Sequence, residues 1–214
     1  MARPKSPLLT TGLIAHAALE LIDSGEPFGV NALARRLGVR PSSLYNHVSG
    51  REEIIELVRG LISRSYDFTS ADVHALPWPE AIEEYLRLER RMYTEHPNLL
   101  PLIATLTVTD DTAIAAYDGL ATMLVRAGFP DDDVLVVMQL LDAFALGAGL
   151  DYAAPGDIWR PLGETAHLGR LLETAAPGRE RSDRAFELGI RVLVSALQDM
   201  LTERTQGAAA RTAD

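Results

Sequence analysis

The stretch that decides the fold is Val30-Asn31-Ala32-Leu33-Ala34-Arg35-Arg36-Leu37-Gly38-Val39-Arg40-Pro41-Ser42-Ser43-Leu44-Tyr45-Asn46-His47-Val48. Val30, Leu33, Ala34 and Leu37 recur at helical spacing, Gly38 permits a left-handed turn, and Pro41 suits the first position of a further helix. That helix is about two turns long, with Leu44 and Val48 four apart on a core face while the residues between them face outward. Helix, glycine turn and helix with a hydrogen-bonding outer face is the arrangement that enters the major groove of DNA. Arg35, Arg36, Arg40 and Arg51 fall within seventeen residues that contain no acid, which makes a local positive patch.

Working outward, Ile14, Ala17, Ala18, Leu21 and Ile22 give an amphipathic stripe from Leu8 to a stop at Gly25. On the other side, Ser49-Gly50-Arg51-Glu52 has the form of a capping box and opens a helix through Ile54, Ile55, Val58, Leu61 and Ile62. A polar, then Pro-rich junction follows between about Phe68 and Pro79. Beyond it the pattern predicts helices at Pro79 to Glu95, Asn98 to Thr105, Asp111 to Ala127, Asp131 to Leu150, Thr165 to Ala175 and Ser182 to Thr205. Asp131, Asp132 and Asp133 fit the first turn of their helix, where the dipole favours acids. No segment demands a strand, so the predicted class is all-α: a three-helix helix-turn-helix head and a larger helical domain. The expected division is 1–50 for the head, 51–70 for a connecting helix, 71–206 for an effector-binding and dimerisation domain, and 207–214 for a disordered tail.

Composition agrees with a globular chain: of 214 residues, 47% are hydrophobic and 23% charged. There is no Cys, which excludes disulfides and thiolate metal sites and points to a reducing cytoplasm. The start lacks the apolar core of a signal peptide, so export by that route is not expected. Val134 to Leu150, interrupted by Gln139 and Asp142, is seventeen residues long and reads as a buried helix rather than a membrane span. The net charge of −10 opposes general coating of nucleic acid or an anionic membrane, but it is unevenly placed. Residues 1–70 hold eight Lys+Arg against seven Asp+Glu, while residues 71–214 hold twelve against twenty-three.

Signs of other chemistry are poor. His16, His74, His96 and His167 are scattered without a pair at ligand spacing, so no metal is expected. Gly147-Ala148-Gly149 follows a helix and lacks a third glycine; there is no Gly-x-Ser-x-Gly elbow and no phosphate-cradling Gly-Lys-Ser/Thr loop. Neither an enzyme nor a cofactor is expected.

Over residues 8–62 the sequence resembles the TetR family of transcriptional repressors, in Ala17-Ala18-Leu19-Glu20-Leu21-Ile22, in Val30 to Val39, and in Ser43-Leu44-Tyr45-Asn46-His47-Val48. His96-Pro97 is a weaker echo of its tetracycline-repressor-like branch. The resemblance implies that Pro41, Ser42, Ser43, Tyr45, Asn46 and His47 face the groove and that Arg51 meets a phosphate; Arg40 can reach guanine or phosphate. Two positions depart from the family pattern, since Arg40 stands where Ser or Thr often caps the helix and Val30 where Thr is common.

In the last helix Phe186, Ile190, Leu193, Leu197 and Leu201 form an apolar seam, and Val134 to Leu150 is apolar over most of its circumference. Such helices are expected to be buried on two sides. By the resemblance they pair with their mates in a homodimer, with Val137, Leu141, Phe186, Ile190, Leu193 and Leu197 as interface candidates and a palindromic double-stranded DNA operator as partner. Gln139 and Asp142 lie three apart on one face, and with Tyr117, Met138, Phe144 and Trp159 they are the candidates for an effector pocket, to which the resemblance assigns a small, largely apolar molecule that releases DNA. The alternative is a helical small-molecule-binding protein that keeps the head but does not bind DNA.

Overall fold

The computed structural model describes residues 9–66, 68, 75–156, 158–161, 163 and 167–212, with the backbone alone from 205 to 212. Arg3, Lys5, His74 and most of the expected junction lie outside the described residues. Among those described there is no strand, as the helical periodicities require.

The helices are α1 (Thr11–Asp23), α2 (Val30–Leu37), α3 (Pro41–Leu44), α4 (Arg51–Tyr66), α5 (Trp78–Glu95), α6 (Leu100–Ile103), α7 (Asp111–Ala127), α8 (Asp131–Ala153), α9 (Leu168–Glu173) and α10 (Gly178–Thr212). They form two compact units: residues 1–70 with 96–119, and residues 71–95 with 120–214. Packing therefore groups His96 to Gly119 with the head, a division absent from a sequential cut near residue 70. The helix expected to end at Thr205 continues to Thr212, through most of the 207–214 stretch where a disordered tail was expected. Ala208, Ala209 and Ala210 have the highest intrinsic helix propensity and extend it.

In the first unit α1 is capped by Thr10, whose side chain accepts from the Leu13 N–H. Its buried stripe of Ile14, Ala17, Ala18, Leu21 and Ile22 packs against α4, which contributes Ile54, Ile55, Val58 and Ile62. The start of α4 corrects the expected capping box in one respect. It is the carboxylate of Glu53, not Glu52, that accepts the Ser49 N–H at 2.6 Å, and this bond holds the Glu53 pKa below the ordinary carboxylate range. With Arg51 as the first helical residue, Glu53 is the third, the position from which a side chain reaches back past the helix start.

Residues 96–113 are fastened to this pair by polar contacts. His96 Nδ1 lies 2.9 Å from Asp23 Oδ2, and Tyr66 meets the His96 ring edge to face. The Glu56 carboxylate is almost fully buried and accepts the N–H groups of Thr109 and Asp110 at 2.8 and 3.3 Å. Arg59 Nε donates to the same carboxylate at 2.7 Å, and its Nη2 donates to the Ile103 carbonyl at 3.1 Å. Asp110 then caps α7 by accepting from Thr112 and Ala113.

In the second unit α5, α8 and α10 pack on one another. The residues buried in these helices are Ile82, Tyr85, Leu86 and Met92 of α5, Val134, Val137, Leu141 and Ala145 of α8, and Phe186, Ile190, Val194 and Leu197 of α10. Phe144 stacks on Phe186 with ring centroids 5.4 Å apart, and a side chain on Gly189 would collide with the Phe144 ring. At 23 residues α8 runs past the expected end at Leu150 to Ala153, and by length and composition alone it meets the measure of a membrane-crossing helix. Three acids in its first turn and the periodic burial of Val134, Val137, Leu141 and Ala145 mark it as a helix packed by one face.

Candidate nucleic-acid interface

Gly38 closes α2 with φ +67°, in the left-handed region that a glycine occupies without steric cost, and its N–H returns to the Arg35 carbonyl. Two residues later the extended Arg40 leads into α3, where Pro41 takes the first helical position. Arg40 makes no side-chain cap, as its departure from Ser or Thr implies. The helix is shorter than two turns. After Leu44 the chain continues as turns, with the N–H groups of His47 and Val48 both bonded to the Leu44 carbonyl. Leu44 and Val48 are the anchors, both buried in the core of the unit.

Between and before those anchors everything else faces outward. Arg40, Pro41, Ser42, Tyr45, Asn46 and His47 are exposed and Ser43 is half-buried. Tyr45 leaves 55% of its surface open, which decides against the packing role that an aromatic residue in a small domain ordinarily takes. The arginines differ from one another. Arg36 is held by Glu20 at 2.8 Å, an exposed pair, while the Arg51 guanidinium lies 5.3 Å over the Phe28 ring, a contact that orients the charge without neutralising it. Arg35 and Arg40 are exposed. The surface of this short segment therefore offers hydroxyl, amide, imidazole and phenol groups flanked by guanidinium groups, the mixture suited to base edges and phosphates.

The residues expected to line an effector pocket are not brought together. Tyr117 belongs to the first unit and the other five to the second. Gln139 is exposed, Met138 and Asp142 are half-buried, Phe144 is engaged with Phe186, and of the six only Trp159 lines a described cleft. Polar spacing on a helix selected Gln139 and Asp142, but it could not show toward which neighbour that face turns.

The interface candidates sit mostly on the inward side of their helices. Val137, Leu141, Phe186, Ile190 and Leu197 are all buried within the chain's own core, and Leu193 is half-buried. The same helices expose a different set: Leu135 (72% open), Val136 (65%) and Leu140 on α8, with Leu188 and Val192 (58%) on α10. Most of the seam read on the last helix lies on the face that this helix turns to its own unit, with Phe186, Ile190 and Leu197 buried. A carboxyl group that sequence reasoning missed is Glu89 of α5. Burial first, and then the charge of Asp142, push its pKa well above the carboxylate range, against the Tyr85 hydroxyl that donates to it at 3.2 Å.

A family model described as "Tetracyclin repressor-like, C-terminal domain" matches residues 75–201. The HTH-type transcriptional repressor DrrR1 of Streptomyces coeruleorubidus is 25% identical over 149 residues, 69% of this chain; the match spans 55% of that protein's length. Among solved structures, ActR of Streptomyces coelicolor in complex with actinorhodin shares the fold with a TM-score of 0.74 at 22% identity, covering 90% of this chain and 96% of ActR. BioQ, a Mycobacterium smegmatis protein solved with its natural double-stranded DNA operator, gives a TM-score of 0.65 at 23% identity, covering 89% and 98%.

Proposed function

Because the chain belongs to the tetracycline-repressor-like family of transcriptional regulators, we propose that it is a repressor that binds a palindromic DNA operator as a homodimer and is released by a small molecule held in its second unit. The observation that carries this reading is the outward polar face of residues 40–47, raised on the buried pair Leu44 and Val48. Asn46 can pair bidentately with an adenine edge, Ser42 and Ser43 serve several bases, and Tyr45, His47 and Arg51 donate to phosphates. Arg40 is placed to reach either guanine or phosphate, and Pro41 sets the angle of the helix. BioQ was solved with a DNA operator and ActR with actinorhodin, which supports giving this chain one partner of each kind.

The homodimer is supported by the exposed Leu135, Val136, Leu140, Leu188 and Val192, an apolar set larger than an isolated helical surface ordinarily leaves in water. Two-fold symmetry would place the half-sites about 34 Å apart. The acidity of residues 71–214 would restrain nonspecific binding.

The test is to retain sheared genomic DNA from the source organism on the purified protein and sequence it, in parallel with a Tyr45→Ala/Asn46→Ala variant. The reading expects a palindrome that the variant loses while its melting temperature stays nearly constant, since both side chains are exposed. With three or four phosphates met per subunit, log affinity should fall with log salt at a slope of about −6. Equal recovery of DNA by both proteins, or none by either, refutes the reading.

A further inference from the structure

The second unit holds a cleft of about 510 Å³ bounded by the end of α8, the residues that follow it and the first turns of α10. That size suits a small organic molecule. Tyr152, Ile158, Trp159 and Pro177 give its lining apolar surface, and Arg179 and Arg181 give it cationic groups. Trp159 keeps about half its surface open.

The cleft is braced. Arg181 donates Nη1 to the Ala176 carbonyl and Nη2 to the Gly156 carbonyl, both at 3.2 Å, and its guanidinium lies 5.3 Å over the Trp159 ring. The backbones at Gly156 and Gly178 approach so closely that a Cβ on Gly178 would overlap Gly156. Arg179 donates to the Tyr152 hydroxyl at 2.7 Å and covers that ring at 4.6 Å. These contacts fix two guanidinium groups against the aromatic rings that line the cleft.

Their position sets them apart from the unit's other arginines. Arg87 pairs with Glu83 and Glu187, Arg90 with Asp183 and Arg204 with Asp133, while Arg91, Arg126, Arg170, Arg184 and Arg191 are exposed and line no described cleft of this unit beside an aromatic pair. Arg179 and Arg181 meet only carbonyl and phenol oxygens, and neither has a carboxylate partner among the described residues. The acid in the lining, Asp151, is exposed. In a stretch where acids outnumber bases twenty-three to twelve, two adjacent uncompensated guanidinium groups favour an anion, and guanidinium matches the planar, two-oxygen geometry of a carboxylate.

We infer that this cleft binds a planar aromatic anion, its ring against the apolar lining of Tyr152, Ile158 and Trp159 and its acid group at Arg179 and Arg181. As the chemical class of the effector, the assignment rests on the regulator reading; as a binding site it does not, and its test contains no DNA, so either can fail alone.

The chain has two tryptophans, so Trp78→Phe leaves Trp159 as the single emitter. The probes are 2-naphthoate and its neutral counterpart 2-naphthylmethanol, titrated by calorimetry into the full chain and by Trp159 emission into the Trp78→Phe protein. The expected result is saturable naphthoate binding that alters Trp159 emission, at least about tenfold weaker binding of the alcohol, and a similar loss for naphthoate in Arg179→Met. Arg179→Met leaves the Arg181 brace in place, and the comparison of two ligands needs no substitution at all. Equal affinity for acid and alcohol, an unchanged affinity in Arg179→Met, or no saturable signal up to millimolar naphthoate overturns the proposal.

Discussion

Replacing Glu56 by alanine removes the acceptor that fastens residues 103–113 to α4. Four donors converge on that carboxylate: the N–H groups of Thr109 and Asp110, the Thr109 hydroxyl at 3.4 Å, and Arg59 Nε. Removing one partner of a buried ion pair costs about 3–5 kcal/mol, because the other charge stays buried without compensation. Each orphaned backbone donor costs about 1–3 kcal/mol, but these costs overlap with the first, since the Thr109 turn can tilt toward water and Arg59 keeps its bond to the Ile103 carbonyl. The lower half of the ion-pair range, about 3–4 kcal/mol, is therefore the expectation. For a chain of this size each kcal/mol lowers the melting temperature by about 2–4 °C, so Glu56→Ala should melt about 6–16 °C lower by calorimetry or circular dichroism.

Glu56→Gln separates charge from shape. Burial raises the Glu56 pKa, but the Thr109 N–H, Arg59 and the Asp110 N–H together outweigh it and hold the group below the ordinary carboxylate range. A folded-state pKa that is depressed contributes stability fully above the unfolded value, about 4.3, and loses it as pH falls through the folded value. The gap in melting temperature between the native protein and Glu56→Gln should thus be widest near neutrality and close on acidification below about pH 4. A loss under about 2 °C in Glu56→Ala, or a gap to Glu56→Gln that ignores pH, would show that the network is a surface ornament and refute the reasoning.

Charge placed on the exposed faces of the second unit, as Leu135→Glu with Val192→Glu, should yield a monomer in sedimentation velocity where the proposed dimer of the native chain sediments as twice the mass; an unchanged mass would remove these faces from the interface. Glu89→Gln should raise the melting temperature by an amount that grows between pH 5 and pH 8. Burial and Asp142 keep the native carboxyl protonated where the unfolded chain ionises, so the folded state binds the extra proton and loses stability as pH rises. A gain that stays constant over that range would sink the assignment.

What the sequence made legible was local. Gly38, Pro41, Leu44 and Val48 each act within five residues of their neighbours, through a dihedral, a missing N–H or a helical repeat, and each stands in the structure where its chemistry requires. What it hid depends on partners far along the chain. Asp23 meets His96 and Glu56 meets Thr109, pairs separated by 73 and 53 residues, so no periodicity could move residues 96–119 into the first unit. The apolar α8 left its facing open for a different reason. When nearly every face of a helix is hydrophobic, pattern measures only that it must be covered; which side meets its own core is set by α5 and α10. Val137 and Leu141 then fall inward while Leu135, Val136 and Leu140 remain outside.

The charges near the start of α10 carry the same argument into function. Read along the chain, Arg179 and Arg181 beside Glu180 and Asp183 are an ordinary solvated first turn. Folding breaks that apparent neutrality. Asp183 is claimed by Arg90 at 2.6 Å, while Arg179 and Arg181 turn to Tyr152 and to two carbonyls. The local sum of charge is the same in both descriptions, but its distribution is not. An acidic unit thereby presents a positive slot, just as an acidic chain presents positive groups around residues 40–47. Around residues 40–47 the sign follows from a run of sequence without acids, at the cleft from an acid the fold has engaged elsewhere, and net charge predicts neither.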